Sequence, residues 1–286
     1  MYKRQGVADY IIDKMKLGPM TTRRDMDSWE RFVSRVVNPR REVTVALVGK
    51  YTALADSYLS HLEAFTHAGA ARECKVRIRF IDSDDLLKDD PEKLLGGVHG
   101  VIIPGGFGIR GVEGKIVAAR YARENMIPFL GVCLGFQIAT IEFCRHVLGL
   151  EMASSTEFDP QTPDPVICIM GEQIGVTDMG ATMRLGAQEV AIAEGSKAHA
   201  LYGTTRISER HRHRYEVNPD YIRRIEDAGW RFTGRSECGT RMEIGELEDH
   251  PYFVASQFHP EFKSRPGSPS PLHQGLVDAA IAYMEG

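Results

Sequence analysis

No stretch of this chain approaches the ~20 consecutive apolar residues that a membrane-crossing helix needs, so no membrane partner is expected. Cysteine is scarce: five residues among 286, at 74, 133, 144, 168 and 238, an odd number without a CxxC pair. That argues against a disulfide framework or a zinc site and fits a reducing, cytoplasmic setting. Charge of one sign is also missing. A formal net charge of -4 gives no bulk field to draw nucleic acid or a membrane surface. The opening MYKRQGVADYIIDKMKLG has no apolar core followed by a cleavage site, so no signal peptide is expected. Internal repeats and low-complexity tracts are absent. So is any G-x-x-x-x-G-K-[ST] segment, which excludes a P-loop for nucleotide phosphates within these residues.

What is present is ordinary globular composition, with 43% hydrophobic and 26% charged residues, enough for one large domain or a domain with an extension. The first forty residues differ from the rest. VADYIIDKMKLG has helical apolar spacing, TTRRDMDSWERFVSRVV reads as a second short amphipathic helix, and Asn38-Pro39-Arg40-Arg41 breaks the pattern. This segment (1–40) reads either as a linker or tail of something larger, or as an ordinary hairpin of helices packed on the domain.

From residue 43 strands and helices alternate. VTVALVG (43–49) is a near-continuous apolar run, as in a strand buried on both faces. Residues 55–70 read as a helix with Leu59, Leu62 and Phe65 on one stripe. Strands follow at 75–82, 100–106 and 127–132, with helices at 115–124 and 136–148. This rhythm implies an α/β fold with a parallel sheet and helices on both faces. The second half has strands near 188–193, 230–236, 241–247 and 252–258 with few long helices between them, so an antiparallel extension is expected. A last helix is expected over 271–284, after the turn-rich Ser264–Pro271 loop.

The strand IPFLGV runs straight into Cys133, and a helix follows at once. Ligands of open α/β sheets bind beyond the carboxyl ends of the strands. Gly131 and Gly135 flank the cysteine as Gly-Val-Cys-Leu-Gly, the cysteine form of the G-x-S-x-G nucleophile elbow. The helix dipole there favours thiolate. A lone free cysteine is more often a buried structural residue; the glycines and the junction reverse that reading for Cys133. The other four cysteines lack this setting and read as structural.

A catalytic thiol needs a base, and the base needs an orienting partner. Most of the ten histidines read as solvated, in helices or charged loops. His259 differs: in Phe-His-Pro-Glu-Phe it lies two residues from Glu261, and alternation along a strand would point both side chains one way. The alternative is a surface His–Glu pair. The oxyanion formed by attack on an amide needs N–H donors. Leu134, next after the cysteine, is one candidate, and Gly106 of Pro104-Gly-Gly-Phe-Gly108 is another. A phosphate loop is the alternative for that turn, but the spacing for one is absent.

Pro-Gly-Gly-Phe-Gly, Gly-Val-Cys-Leu-Gly-Phe-Gln and Phe-His-Pro-Glu-Phe, in this order and spacing, resemble the class I (triad) glutamine amidotransferases. Four further segments resemble one branch of that family in particular: Val45–Tyr51, Ser155–Phe158, Thr177–Gly186 and, most specific, Glu209–Glu216 with its Arg-His-Arg-His-Arg-Tyr-Glu run. The match covers residues 41–286. It implies a flavodoxin-like open, mostly parallel sheet with flanking helices and an antiparallel extension. It implies the triad Cys133, His259 and Glu261, oxyanion donors at Gly106 and Leu134, and L-glutamine held by Gln137, Glu157 and Arg214. An acid for the α-ammonium and an arginine for the α-carboxylate suit free glutamine. Read without the resemblance, 210–216 is a basic surface patch, even a nucleic-acid contact.

In that branch the glutaminase follows a synthetase domain that binds ATP and UTP with Mg2+ and aminates UTP to CTP, and GTP serves as activator. The resemblance therefore implies that residues 1–40 are the linker from such a domain, and that homo-oligomers belong to the full-length enzyme. Ala181, where the family more often has glycine, and His273, where an aromatic is expected, depart from the pattern away from the triad. A γ-glutamyl hydrolase or the glutaminase of guanylate synthesis would lack the Arg210–Glu216 run. A binding or regulatory module on the same fold is the other reading.

Overall fold

The computed structural model describes residues 6–17, 26–52, 54–169 and 184–286. The apolar runs pair first. Strands β1 (Arg41–Gly49), β2 (Cys74–Asp82), β3 (Gly100–Ile103) and β4 (Phe129–Val132) lie parallel with β12 (Phe253–Ser256), in the order β2-β1-β3-β4-β12. Counting only these five, the order is that of a flavodoxin-like sheet. Beyond β12 the sheet continues antiparallel through β11 (Met242–Leu247), β10 (Trp230–Ser236), β7 (Arg184–Ile192) and β8 (Arg206–His213), which forms the edge. Both the parallel half and its antiparallel extension are thus as the strand patterns imply.

Helices cover both faces, and β1 shows why its run from Val45 to Val48 is wholly apolar. Ala46 and Val48 join the core under α5 (Val112–Glu124) and α6 (Leu134–His146); Val45 and Leu47 join the one under α3 (Leu59–Ala71) and α9 (Pro271–Glu285). The rings of Phe129 and Phe253 stack at 4.3 Å across β4 and β12, the two strands that carry the site. Burying each such ring is worth about 1.5–3 kcal/mol, so the strand ends are held by a rigid base.

Several expectations need correction. The helix of residues 55–70 opens with a 3-10 turn, Ala55–Tyr58, and Leu59 is 52% exposed. Phe65 is buried as expected, and His61, Ala64 and Ala68 complete its face. The strand before His259 stops at Ser256, and Pro260–Lys263 is a 3-10 turn. A small sheet of β5 (Ala153–Ser155), β6 (Asp164–Ile169) and β9 (Tyr215–Val217) was not expected, because strands this short carry too few residues for a period-2 signal. Short helices α4 (Pro91–Leu95), α7 (Lys197–Tyr202) and α8 (Pro219–Asp227) complete the domain. Most of Thr177–Gly186, with Ala181, lies outside the described residues.

At the N-terminal end, α1 (Val7–Lys14) and α2 (Met26–Val37) occupy the two helical patterns. Phe32 of α2 meets the His67 ring of α3 at 5.9 Å, while Trp29, Val33 and Val37 stay exposed. No described helix is long and apolar enough to cross a membrane.

Candidate active site

Cys133 occupies the N-cap of α6 with φ 54° and ψ -99°. This is a left-handed strained conformation for a residue with a side chain, and it is what the flanking glycines permit. A Cβ on Gly131 would stand 2.6 Å from the carbonyl oxygen of Gly135, and one on Gly135 would stand 2.1 Å from that of Ile103. The Cys133 amide donates to the Ser256 carbonyl at 2.7 Å, which ties the elbow to the end of β12. The chain then needs only three more residues to reach His259.

His259 and Glu261 do meet, though through the 3-10 turn and not through strand alternation. Nδ1 of His259 lies 2.8 Å from Oε1 of Glu261. The His259 amide donates to the Arg210 carbonyl of β8 at 2.8 Å, which fixes the turn against the sheet edge. Gly105 lies against both side chains: a Cβ there would stand 2.9 Å from His259 Cε1 and 3.5 Å from Cys133 Cβ. Burial pulls the His259 pKa down, but the Cys133 sulfur and Glu261 outweigh it and raise it to about 10. Burial pushes the Glu261 carboxyl up, and the imidazoles of His61, His259 and His273 overcome this to bring it to about 2. An imidazole that holds a proton this firmly is a strong acceptor for a thiol proton.

The Pro-Gly-Gly-Phe-Gly turn sits beside the elbow. Lys50 Nζ donates to the carbonyls of Phe107 and Gly108, both at 2.7 Å, and the Gly108 amide donates to Glu157 Oε1 at 2.8 Å. A Cβ on Gly106 would stand 3.2 Å from Leu134 Cδ2, so the two expected oxyanion donors are neighbours. Leu134 opens α6, where amides have no carbonyl partner within the helix.

Cys133 stands between two clefts. One, of about 230 Å³, contains His259, Glu261, His61, Arg210 and Arg212. The other, of about 360 Å³, contains Gly106, Leu134, Gln137, Glu157 and Arg214. The second brings together all five residues expected to bind substrate, and its volume suits an amino acid. Gln137 is buried and donates to the Tyr215 carbonyl at 3.0 Å and to Gln257 Oε1 at 3.3 Å, which holds its amide in place.

The basic run resolves by alternation along β8. Arg210 and Arg212 face solvent, over the rings of Phe262 and Phe107, while His211 and His213 are buried. A continuous basic patch does not form. Among the described residues, donor atoms of His211, His213 and Glu243 lie within 4.8 Å of one another, close enough for a cation. Arg184 already pairs with Glu243, and His211 Nδ1 hydrogen-bonds His213 Nε2 at 3.1 Å. These contacts tie the cluster into one buried network with Arg184, although His211 Nε2 is buried without a hydrogen-bond partner among the described residues.

Two classes of side chain depart from the sequence reading. Six of the ten histidines, at 61, 67, 211, 213, 250 and 273, are buried and not solvated. Helix and strand faces placed five of them inward, and His250 is buried in the turn between β11 and β12, which a residue-type preference does not foresee. Cys238 is exposed in the β10–β11 turn, where the hydroxyls of Ser236 and Thr240 lower its pKa to about 7. All five cysteines are free. Sequence reasoning also missed Gly105 and His61, though the doubled glycine of Pro-Gly-Gly was a usable sign of close approach.

Residues 53–279 match the family model for glutamine amidotransferase class-I. The chain is 49% identical over 283 residues to CTP synthase of Syntrophus aciditrophicus, covering 99% of this chain and 52% of that protein. It is 51% identical over 283 residues to CTP synthase of Archaeoglobus fulgidus, with the same two coverages. The chain therefore spans about half the length of the curated relatives it matches. Among solved structures, the glutaminase domain of Trypanosoma brucei CTPS with bound acivicin is similar at a TM-score of 0.79 and 40% identity, over 84% of this chain and 94% of that one.

Proposed function

Because this chain belongs to the class-I glutamine amidotransferase family, we propose that it is the glutamine-hydrolysing half of a CTP synthase, with Cys133 as nucleophile, His259 as base and Glu261 as its orienter. The observation that carries this reading is the strained Cys133 elbow facing a His259 pinned to Glu261 at 2.8 Å. His259 takes the thiol proton, and the sulfur attacks the side-chain amide carbon of L-glutamine. A C–S bond forms as the carbonyl pair moves to oxygen, where the Gly106 and Leu134 amides receive it. The oxyanion collapses, His259 passes its proton to the departing nitrogen, and ammonia leaves a glutamyl thioester. Water gives a proton to His259, attacks the thioester and releases glutamate with regeneration of the thiol. Glu157 takes the α-ammonium, Arg214 the α-carboxylate, and Gln137 shapes the cleft between them.

On the same reading, residues 1–40 join this domain to a synthetase domain that uses ATP, UTP and Mg2+ to turn the ammonia into CTP. The exposed apolar side chains of α2 support that role. GTP would act as activator, homo-oligomers would form at the level of the full-length enzyme, and five free cysteines suit the cytoplasm. We assign no residue of this chain to ATP, UTP, Mg2+ or GTP.

The test is glutamate and ammonia release from L-glutamine by the wild-type chain and by Cys133→Ala, with mass spectrometry of the thiol after exposure to a glutamine-like electrophile. Turnover and labelling are expected of the wild type and neither of the variant. Undiminished turnover by Cys133→Ala would remove the nucleophile assignment. A thiol that labels without turnover, even with a synthetase domain added, would favour the binding or regulatory module.

A further inference from the structure

The triad does not end at Glu261. His61 of α3 brings Nε2 to 3.6 Å from Glu261 Oε1, the oxygen that His259 also engages. Its Nδ1 lies 3.0 Å from Nε2 of His273 on α9, and His273 Nδ1 lies 2.8 Å from the hydroxyl of Ser270, the N-cap of that helix. His61, His273, Ser270 and Glu261 are all buried. Burial also lowers the pKa of both imidazoles, His273 to about 3, so each is neutral and carries one N–H.

That single proton per ring determines the direction of the whole row. A carboxylate offers only acceptors, so the N–H of His61 belongs at Nε2, whose 3.6 Å to Glu261 Oε1 is a polar contact longer than a hydrogen bond. Nδ1 of His61 is then a lone pair, and His273 must donate to it from Nε2. Nδ1 of His273 is in turn a lone pair, and the Ser270 hydroxyl must donate to it. Ser270 Oγ keeps lone pairs for the His273 backbone amide at 3.5 Å. Every donor in the row points toward Glu261, and no buried polar atom of the two rings lacks a neighbour.

We propose that His61, backed by His273 and Ser270, is a positioning residue of the glutaminase site: this buried row of donors holds the Glu261 carboxylate facing His259. The proposal rests on the triad reading given above. It also gives His273 a role, at a position where the family resemblance leads one to expect an aromatic. A ring without nitrogen there would leave His61 Nδ1 without its donor. Among the described residues, the charged or titratable groups near this cluster include Glu209 of β8, hydrogen-bonded by Tyr202 at 3.1 Å, Tyr202 itself, Arg210 and Arg212 of the shared cleft, Lys263 just beyond Glu261, and Cys133 across His259.

Two measurements on the full chain test it. Long-range 15N–1H correlation at neutral pH is expected to show His61 and His273 as Nε2–H tautomers; an Nδ1–H on either ring overturns the row. Kinetically, His61→Val is expected to lower kcat for glutamine about tenfold, a fraction of the ~10²–10⁴ that a general base contributes. KM should hold, and the acid limb of the kcat/KM profile should move. His61→Gln, whose amide can donate, is expected to keep most of the rate. His61→Val/His273→Phe should be no slower than His61→Val alone, since both act through one donor. A folded His61→Val with wild-type kcat and pH profile overturns the proposal. Cys133→Ala, run alongside, separates the two failures: activity in that variant sinks the triad, whereas the tautomers remain as read.

Discussion

The backbone of Gly105 and the imidazole of His259 leave no room between them. A methyl carbon on Gly105 would stand 2.9 Å from His259 Cε1, and the ring cannot swing away without breaking its 2.8 Å bond to Glu261. Gly105→Ala is therefore expected to displace the base from Cys133 while the β3 core beneath it stays packed. Misplacement by about 1 Å can cost 10²-fold in rate. The expected result is a loss of kcat of roughly that size with a thermal midpoint close to wild type.

Gly135 makes the opposite kind of contact. Its missing Cβ would meet a backbone atom, the Ile103 carbonyl oxygen, at 2.1 Å, so no side-chain rotation relieves the clash. Overpacking a close-packed interior costs typically ~1–3 kcal/mol, and here α6 itself must move off β3. Gly135→Ala is expected to lower the unfolding free energy by that amount or more, read as a lower urea midpoint, and activity with it. An unchanged midpoint would mean that the elbow is looser than its geometry implies.

The contrast shows what the sequence could reveal. The parallel half of the sheet was readable because β3, β4 and the Val45–Gly49 part of β1 are buried on both faces and must be apolar. Cys133 was readable because a sharp strand-to-helix turn demands small neighbours. The pairing of His259 with Glu261 was expected from strand alternation, while the structure brings the two together through a proline-led 3-10 turn. His61 and His273 were not found as a pair. They lie 212 positions apart and meet only because α3 and α9 share one face of the sheet. Long-range contacts of polar residues leave no periodic trace.

Buried histidines make the domain sensitive to acid. Burial is the leading cause that lowers the pKa of His211 and His273 to about 3 and of His250 to about 4, and that moves His61 and His213 in the same direction. Below the ordinary value near 6.5, the unfolded chain binds protons at these rings that the folded chain refuses. Stability then falls with pH, by up to about 1.4 kcal/mol per unit for each ring until its folded pKa is reached. His259 acts at the other end: its raised pKa contributes fully below 6.5 and fades as pH climbs toward about 10. The thermal midpoint is expected to drop by several degrees between pH 7.5 and 5.5. His273→Phe should shallow that slope even where it lowers the midpoint itself. A flat profile over this range would contradict the neutral, buried state of the rings.

On the proposed reading, substrate binding separates from chemistry at Arg214. It lines the cleft beside Gln137 and Glu157, on the side of Cys133 away from His259. If it holds the α-carboxylate, its contact is the same in the ground state and the transition state, because the bond that breaks lies at the far end of the side chain. Arg214→Ala is then expected to raise KM for glutamine 10- to 100-fold, the worth of a hydrogen bond to a charged group at ~1.5–3 kcal/mol, and to leave kcat nearly unchanged. Arg214→Lys should recover only part of the loss, since the ammonium lacks the planar fork. Glu157 should behave less cleanly: it also accepts the Gly108 amide at 2.8 Å, so Glu157→Ala frees the glycine turn as well as the α-ammonium. KM and kcat should both suffer there. A glutamine analogue without its α-carboxylate should bind wild type and Arg214→Ala equally. An Arg214→Ala enzyme that instead lost kcat at unchanged KM would place this arginine at the reacting amide.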